Sequence, residues 1–246
     1  MTSPAFSANS VPPVAPLTAD ELAHAESLDA EGLVRFGLER YGPRIAIASS
    51  FGLEDVVLID LAARTGLPFR VFTLDTGRLN QETYDIIDRV RNRYEVDIEI
   101  LFPDPSEVEP MVREHGPNLF YDSIELRKRC CQVRKVAPLG RVLVTLDAWM
   151  TGLRRDQNTT RTSVPKAEVE PGTGRMKLSP LADWSWDAVW AFVRENRVPY
   201  NVLHDRGYPS IGCGPCTRAV AAGEDLRAGR WWWENPETKE CGLHSR

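Results

Sequence analysis

The sequence has no long apolar run and only five cysteines in 246 residues. No stretch approaches the ~18 consecutive apolar residues that a membrane-spanning helix needs, so we expect no membrane association. The formal net charge of −5 disfavours nucleic acid as a partner, because polyanion binders normally carry a broad basic surface. An odd number of cysteines, all from position 130 onward, disfavours a disulfide framework. The 42% hydrophobic content is that of an ordinary globular protein.

Residues 1–16 carry no charged side chain and contain four prolines. Such a segment neither propagates a helix nor covers a core, so we expect a mobile tail there. It also lacks the basic start and continuous apolar stretch of a secretory signal. We therefore expect a cytoplasmic protein whose thiols stay reduced.

Segments typical of strands and helices alternate from residue 44 onward, after two short helices predicted within residues 18–38. Strands are predicted at 44–50, 69–74, 97–102 and 142–151, and helices at 54–64, 80–94, 105–115 and 186–195. This alternation predicts an α/β fold with a mostly parallel sheet covered by helices on both faces. Ligands of such sheets bind at the carboxyl ends of the strands.

Three of these strand ends carry groups suited to a nucleotide or an anion. The segment Ser49–Asp55 places small hydroxyls and a glycine before a helix, where amides bind anions, although it lacks the Walker lysine and is equally typical of helix capping. In Leu74–Arg78 an aspartate suits a ribose or base edge, with a capped turn as the alternative. Arg154, Arg155 and Arg161 suit phosphate or sulfate.

Positive charge is concentrated around these arginines. Residues 127–162 have a local net charge of +7, which leaves −12 on the rest of the chain. Such a run is usually a solvated basic face. Because this basic run also flanks a pair of cysteines, a binding site for a small anionic ligand is at least as well supported as a solvated face.

Four of the five cysteines form two close pairs, Cys130-Cys131 and Cys213-Gly-Pro-Cys216. The second pair has the thioredoxin redox sequence, but only thirty residues follow it, too few for the rest of a thioredoxin domain. Four thiolates together suit either zinc or a 4Fe-4S cluster. Directly adjacent cysteines are unusual at zinc and favour the cluster, whose charge nearby cations such as Lys128 and Arg134 would offset.

The fifth cysteine, Cys241, lies sixth from the end of the sequence, where chains are usually mobile. It follows Trp231-Trp-Trp233, which is preceded by Arg227 and Arg230. An incidental exposed thiol is one interpretation. The other is a mobile nucleophile that enters a cationic pocket and then swings out to a partner.

Six segments together resemble the assimilatory adenylyl-sulfate (APS) reductases, the iron-sulfur branch of the APS/PAPS reductase family. They are Ser49–Asp55, Leu74–Arg78, Lys128–Cys131, Gly152–Gln157, Ile211–Cys216 and Glu240–His244. The resemblance covers about residues 30–246 and implies an adenine nucleotide alpha-hydrolase-like fold. It places an α/β domain that binds nucleotide and cluster at 17–223 and a mobile catalytic tail at 224–246.

The resemblance implies thioredoxin-dependent reduction of adenylyl sulfate to sulfite and AMP, in sulfate assimilation and cysteine biosynthesis, with a 4Fe-4S cofactor. Cys241 would be the catalytic nucleophile and form an S-sulfonate. The cluster ligands would be Cys130, Cys131, Cys213 and Cys216. The substrate-binding residues would be Ser50, Gly52, Leu74, Thr76, Lys135, Arg154, Arg161, Arg227 and Arg230.

Three alternatives remain at this stage. A phosphoadenylyl-sulfate (PAPS) reductase shares the first motif and the tail, but this group lacks the four cluster cysteines. An iron-sulfur tRNA-thiolating enzyme should show a broader basic surface. A non-catalytic metal-binding module would leave Cys241 without a function. The sequence does not determine whether the chain forms a homo-oligomer.

Overall fold

A computed structural model describes residues 13–157, 163–235 and 239, which fall into two compact units. Of these described residues, the first unit comprises those up to Thr73, Asp85–Glu99 and those between Leu143 and Asn201, and the second comprises Leu74–Tyr84, Ile100–Val142 and those from Val202 onward. Each unit has its own cluster of buried apolar side chains. The domain boundaries expected from the sequence, 1–16, 17–223 and 224–246, stay predictions.

The helices of the described residues are α1 (Ala19–Ser27), α2 (Ala30–Tyr41), α3 (Leu53–Arg64), α4 (Gln81–Tyr94), α5 (Pro105–His115), α6 (Ile124–Cys131), α7 (Ala137–Leu143) and α8 (Trp186–Glu195). The strands are β1 (Ile45–Ala48), β2 (Val71–Leu74), β3 (Ile98–Leu101), β4 (Ala148–Met150), β5 (Ala167–Val169) and β6 (Met176–Leu178). No described helix is long and apolar enough to cross a membrane.

The six strands form one sheet in the order β3-β2-β1-β4-β6-β5. β1 pairs in parallel with β2 and with β4, β4 pairs in parallel with β6, and only the edge strand β5 is antiparallel to its neighbour. The mostly parallel α/β fold predicted from the sequence is therefore confirmed. The order reverses between β1 and β4, which is where such sheets bind ligands.

Local sequence explains the elements that flank this point. β1 is Ile-Ala-Ile-Ala, a short apolar run buried in the sheet. α3 begins directly after Gly52, and most of its side chains are buried, as expected for a helix packed in the core rather than on the surface. The loops after β1 and β4 are therefore supported by rigid, buried elements.

The prediction of a strand over 142–151 was wrong in its first half, because α7 ends only at Leu143 and β4 begins at Ala148. β5 and β6 were not predicted. Each has only three residues and lies within sequence rich in proline and glycine, so neither gives a recognisable period.

In the second unit, α6 and α7 are joined by a π-helical turn over Gln132–Val136. Ser123 caps the start of α6 by accepting a hydrogen bond from the Leu126 amide. π-Helical turns are rare and often occur at functional sites. This one places two cations directly after the adjacent cysteines that end α6.

Candidate functional site

The four paired cysteines meet in the second unit. Cys130 and Cys131 end α6, while Cys213 and Cys216 flank the short 3-10 turn Gly214–Cys216. All four are free thiols; Cys130 is half-buried and the other three are buried. They line a single pocket, whose empty volume, including the part open to solvent, is about 360 Å³.

Four cations line the same pocket: Arg78, Arg127, Arg134 and Lys135. Arg134 and Lys135 come from the π-helical turn, and Arg127 lies one helical turn before Cys131. Positive charge at this density stabilises thiolates and would offset the negative charge of a thiolate-bound cluster.

The loop after β2 holds the second cysteine pair. Thr76 Oγ1 lies 3.2 Å from Cys213 Sγ, at hydrogen-bond distance. Arg134 donates to the Thr76 carbonyl at 2.7 Å, and the Gly214 amide donates to the Arg78 carbonyl at 2.8 Å. These bonds fix the turn between Cys213 and Cys216 relative to the π-helical turn.

The thiols differ in acidity. Burial raises the pKa of Cys216 to about 12, and the neighbouring Cys213 adds to this rise. Burial acts in the same direction on Cys213, but Lys135, the hydrogen bond with Thr76, Arg230 and Arg134 together outweigh it and lower its pKa. Burial also raises the pKa of Cys130. Cys213 is therefore more easily deprotonated than Cys130 and Cys216, which need a strong Lewis acid to become thiolates.

The donors around the pocket are four cysteine thiols. Within residues 13–157, 163–235 and 239, no three Cys, His, Asp or Glu side chains converge so as to hold one metal ion. Four thiols around one pocket are nevertheless a donor set suited to a cluster with several metal atoms, because each thiolate then binds a different atom.

A second polar site lies in the first unit, where the loops after β1 and β4 meet. Asp55 Oδ2 accepts hydrogen bonds from the Ser50 amide at 2.6 Å and from the Ser50 hydroxyl at 2.8 Å. The Phe51 amide donates to Ser49 Oγ at 3.1 Å. Phe51 has a φ of 58°, a left-handed conformation that is uncommon for a large side chain. The internal bonds hold this loop in its strained shape.

Arg154, from the loop after β4, is almost completely buried against this first loop. Its Nε donates to Glu54 at 2.9 Å, and its Nη1 donates to the Trp184 carbonyl at 3.1 Å. Gln157 donates to the same Glu54 oxygen at 2.9 Å. The Arg154 charge is thus already paired, and its predicted contact with the substrate stays a prediction.

Gly152 allows the two loops to approach each other. A methyl group at this position would lie 2.7 Å from both Asp55 Oδ1 and Glu54 Cβ. We expect Gly152→Ala to lower the free energy of unfolding by about 1–3 kcal/mol, as overpacking does in tight sites. Urea denaturation measures this change. Gly172→Ala, which adds a methyl group in open space, should leave stability unchanged or slightly higher. Equal behaviour of the two variants would contradict this account of the close approach.

The buried Asp55 predicts a pH dependence of stability. Burial raises its pKa to about 6, although the Ser50 hydrogen bonds oppose the rise. Because an unfolded aspartate titrates near pH 4, the folded state binds more protons between about pH 4 and 6, and the unfolding free energy falls as pH rises through that window. Two pKa units correspond to about 3 kcal/mol.

Asp55→Asn should remove this decrease in unfolding free energy between about pH 4 and 6, because the asparagine amide does not titrate. Urea denaturation at pH 4 and pH 6.5 measures it, with Asp187→Asn on the exposed face of α8 as a control that should keep the wild-type fall. A full fall in Asp55→Asn would assign the pH dependence to another group.

The structure thus groups the predicted site residues by unit. The first unit holds Ser50 and Gly52 near Arg154. The second holds the four paired cysteines, Leu74, Thr76, Lys135, Arg227 and Arg230. Arg161 and Cys241 lie outside the described residues, so their predicted roles stay predictions. Thr76 was predicted for the nucleotide pocket, and its hydroxyl lies at hydrogen-bond distance from Cys213 Sγ and accepts a hydrogen bond from the Arg78 amide at 3.2 Å.

Sequence reasoning missed several residues of these sites. In the sequence, Glu54 and Asp55 resemble the acidic residues that commonly occupy the first turn of a helix. Arg127 was counted only within a basic run, and Glu234 only as part of the tail. The ion pair between Arg127 and Glu234 joins residues 107 positions apart, and a single sequence carries no signal for such a pair.

Comparison with known proteins identifies the family. A model of the phosphoadenosine phosphosulfate reductase domain matches residues 44–219. The chain is 54% identical to a protein of Allochromatium vinosum named adenosine 5'-phosphosulfate reductase, over 82% of this chain and 79% of the relative. A Burkholderia cepacia protein with the same name is 50% identical over 93% of this chain and 90% of the relative.

Among solved structures, phosphoadenylyl-sulfate (PAPS) reductase from Candida auris matches with a TM-score of 0.71 and 28% identity, covering 84% of this chain and 100% of that one. The fold and the family assignment therefore agree. This chain belongs to the APS/PAPS reductase family, together with the relatives named adenosine 5'-phosphosulfate reductase.

Proposed function

We propose that this protein reduces adenylyl sulfate to sulfite and AMP, with thioredoxin as the electron donor, in the cytoplasmic assimilation of sulfate for cysteine biosynthesis. The observation that carries the proposal is the set of four free thiols around one cation-lined pocket, in a chain of this family. Relatives at 50–54% identity are named for this substrate.

A 4Fe-4S cluster bound by Cys130, Cys131, Cys213 and Cys216 is part of this proposal. The described donors fit it, because four thiols share one pocket that cations also line. When bound, the cluster would supply a rigid anchor and local charge, since the reaction needs no electron from it. The chain's own groups then carry the chemistry.

In the first step the Cys241 thiolate attacks the sulfur of adenylyl sulfate. An S–S bond forms between enzyme and sulfonate, the sulfur–oxygen bond to the phosphate breaks, and AMP leaves with that electron pair. Lys135, Arg154, Arg161, Arg227 and Arg230 are the candidates for offsetting the sulfonate and phosphate charge. Ser50, Gly52, Leu74 and Thr76 are the candidates for the nucleotide pocket.

In the second step a thioredoxin thiolate attacks the Cys241 sulfur and releases sulfite. The second thioredoxin thiol then reduces the mixed disulfide, which returns Cys241 as a thiol and leaves thioredoxin oxidised. The two electrons therefore come from thioredoxin. A nucleophile that meets both substrate and a protein partner must change its surroundings between the two steps.

Reduction of phosphoadenylyl sulfate is the second candidate, favoured by the structural match to a reductase named for that substrate. The two substrates differ by a 3'-phosphate, which adds charge and bulk at the ribose. A pocket shaped for a ribose hydroxyl discriminates against that group.

Side-by-side turnover of the two activated sulfates, with metal analysis of anaerobically purified protein, tests the proposal. We expect the higher kcat/KM with adenylyl sulfate, together with iron and acid-labile sulfide. A higher value with the phosphorylated compound would favour the second candidate. Stoichiometric zinc without sulfide would remove the cluster from the proposal.

A further inference from the structure

One short segment of the second unit touches both cysteine pairs. This C-terminal clasp is Gly229–Glu234. The Trp231 amide donates to the Cys216 carbonyl at 3.1 Å, and Arg230 Nη1 donates to the Ile211 carbonyl at 3.0 Å. A methyl group on Gly212 would lie 2.4–2.6 Å from the Arg230 guanidinium, so that side chain packs directly on the backbone before Cys213. The first half of the clasp therefore holds the Cys213–Cys216 turn.

The second half of the clasp holds α6. Arg127 and Glu234 form a two-pronged ion pair, Nε to Oε1 and Nη2 to Oε2, both at 2.8 Å. Their side chains are 0% and 3% exposed. Arg127 also lines the pocket that the four cysteines share, one helical turn before Cys131. One buried cation thus joins the cysteine pocket to the end of the clasp.

Trp231 connects the two halves and is under constraint. Its side chain is 1% exposed, and its φ of 41° lies in the left-handed region, which is unfavourable for a large residue. The guanidinium carbons of Arg127 and Arg230 lie 5.0 and 4.7 Å from its ring centroid. This conformation persists only while the surrounding contacts outweigh its cost. Loss of either anchor should therefore release the segment.

We propose that the C-terminal clasp and the bound cluster stabilise each other, with the Arg127–Glu234 ion pair joining α6 to the clasp. The inference rests on the proposed function, because it takes the four cysteines as cluster ligands. The coupling is reciprocal, as thermodynamic linkage requires: a bound cluster stabilises the clasp, and the clasp stabilises the cluster.

The first test compares Glu234→Gln with Glu224→Gln. Glu224 also pairs with an arginine, Arg218 at 2.9 Å, but on the surface, so its loss matters little. Glu234→Gln leaves the buried Arg127 charge uncompensated. We therefore expect amide hydrogen exchange over 124–131 and 231–235 to accelerate by roughly tenfold or more. We expect the loss of iron to a chelator to accelerate by roughly the same factor. Wild-type rates in Glu234→Gln would overturn the proposal.

The second test uses wild-type protein and so does not depend on a variant folding. Exchange is measured before and after anaerobic removal of iron by a chelator. Faster exchange over 231–235, with unchanged exchange in β1 and α3, is the expected result. Unchanged exchange over 231–235 would overturn the proposal, because it would show no coupling.

Neither test uses substrate or thioredoxin. Failure of the coupling is therefore distinguishable from failure of the proposed reaction, which turnover with the two activated sulfates reports.

Discussion

Cys241→Ser is expected to abolish sulfite production, by about three orders of magnitude or more, because a serine hydroxyl is a far weaker nucleophile than a thiolate at neutral pH. Iron content and nucleotide binding should stay close to wild type, since none of the four proposed cluster ligands changes. Sulfite release with reduced thioredoxin measures the first expectation, and metal analysis with equilibrium nucleotide binding measures the second.

The covalent mechanism also predicts a result for the wild-type protein. Without reductant, adenylyl sulfate should yield about one AMP per active site and a sulfonate on the peptide containing Cys241, as expected for a two-step mechanism. A chain ending at Cys241 is the matched control for the tail and should lose less activity than Cys241→Ser. A sulfonate on Cys213 or Cys216, or substantial turnover by Cys241→Ser, would place the chemistry on another residue.

The fold was predictable because its elements are locally encoded. Alternation of apolar strands and amphipathic helices over residues 44–115 predicted a mostly parallel α/β sheet, and β1, β2, β3 and the helices between them lie within about three residues of the predicted positions. The later strands were not predictable in the same way. β5 and β6 have three residues each, and their pairing is decided by the tertiary neighbourhood of β4.

The cysteine site was predictable in composition but not in its supporting contacts. Two cysteine pairs in a reduced chain predicted one shared metal site, and the structure brings all four thiols to one pocket. The sequence did not indicate that Thr76 would lie against Cys213, or that Arg127 would pair with Glu234. Such contacts join residues more than a hundred positions apart, and a single sequence carries no periodic signal for them.

The loop after β1 shows a different limit. The sequence of Ser49–Asp55 was compatible with an anion site or with ordinary helix capping, and the structure shows the amides of Ser50 and Phe51 bonded within the loop. The competing groups, Asp55 and Ser49, are as short and polar as ordinary capping residues. Sequence alone therefore could not distinguish a loop with free amides for an anion from a loop whose amides bond its own side chains. A ligand that binds here would have to replace these hydrogen bonds or add to them.

Cys213→Ser is expected to lose most of the metal. Burial raises the pKa of Cys213, but Lys135, the hydrogen bond with Thr76, Arg230 and Arg134 together outweigh it and lower that pKa, so this thiol is well prepared to act as a thiolate ligand. A serine oxygen is a harder and poorer ligand for iron in such a cluster. We expect iron and acid-labile sulfide per chain to fall by roughly tenfold or more, because replacing even an outer-shell partner typically costs 10–100-fold in metal affinity.

Thr76→Val is the matched control for this loss, because it keeps the side-chain shape and all four thiols while removing the hydroxyl's hydrogen bonds to Cys213 Sγ and from the Arg78 amide. It should cost at most about 10–100-fold in affinity, so that a tight site stays largely filled. Iron and sulfide analysis of the two variants, purified anaerobically side by side, separates loss of a ligand from loss of its support. Equal depletion in both would make the Thr76 hydrogen bond as important as the ligand itself, whereas full iron content in Cys213→Ser would remove Cys213 from the ligand set.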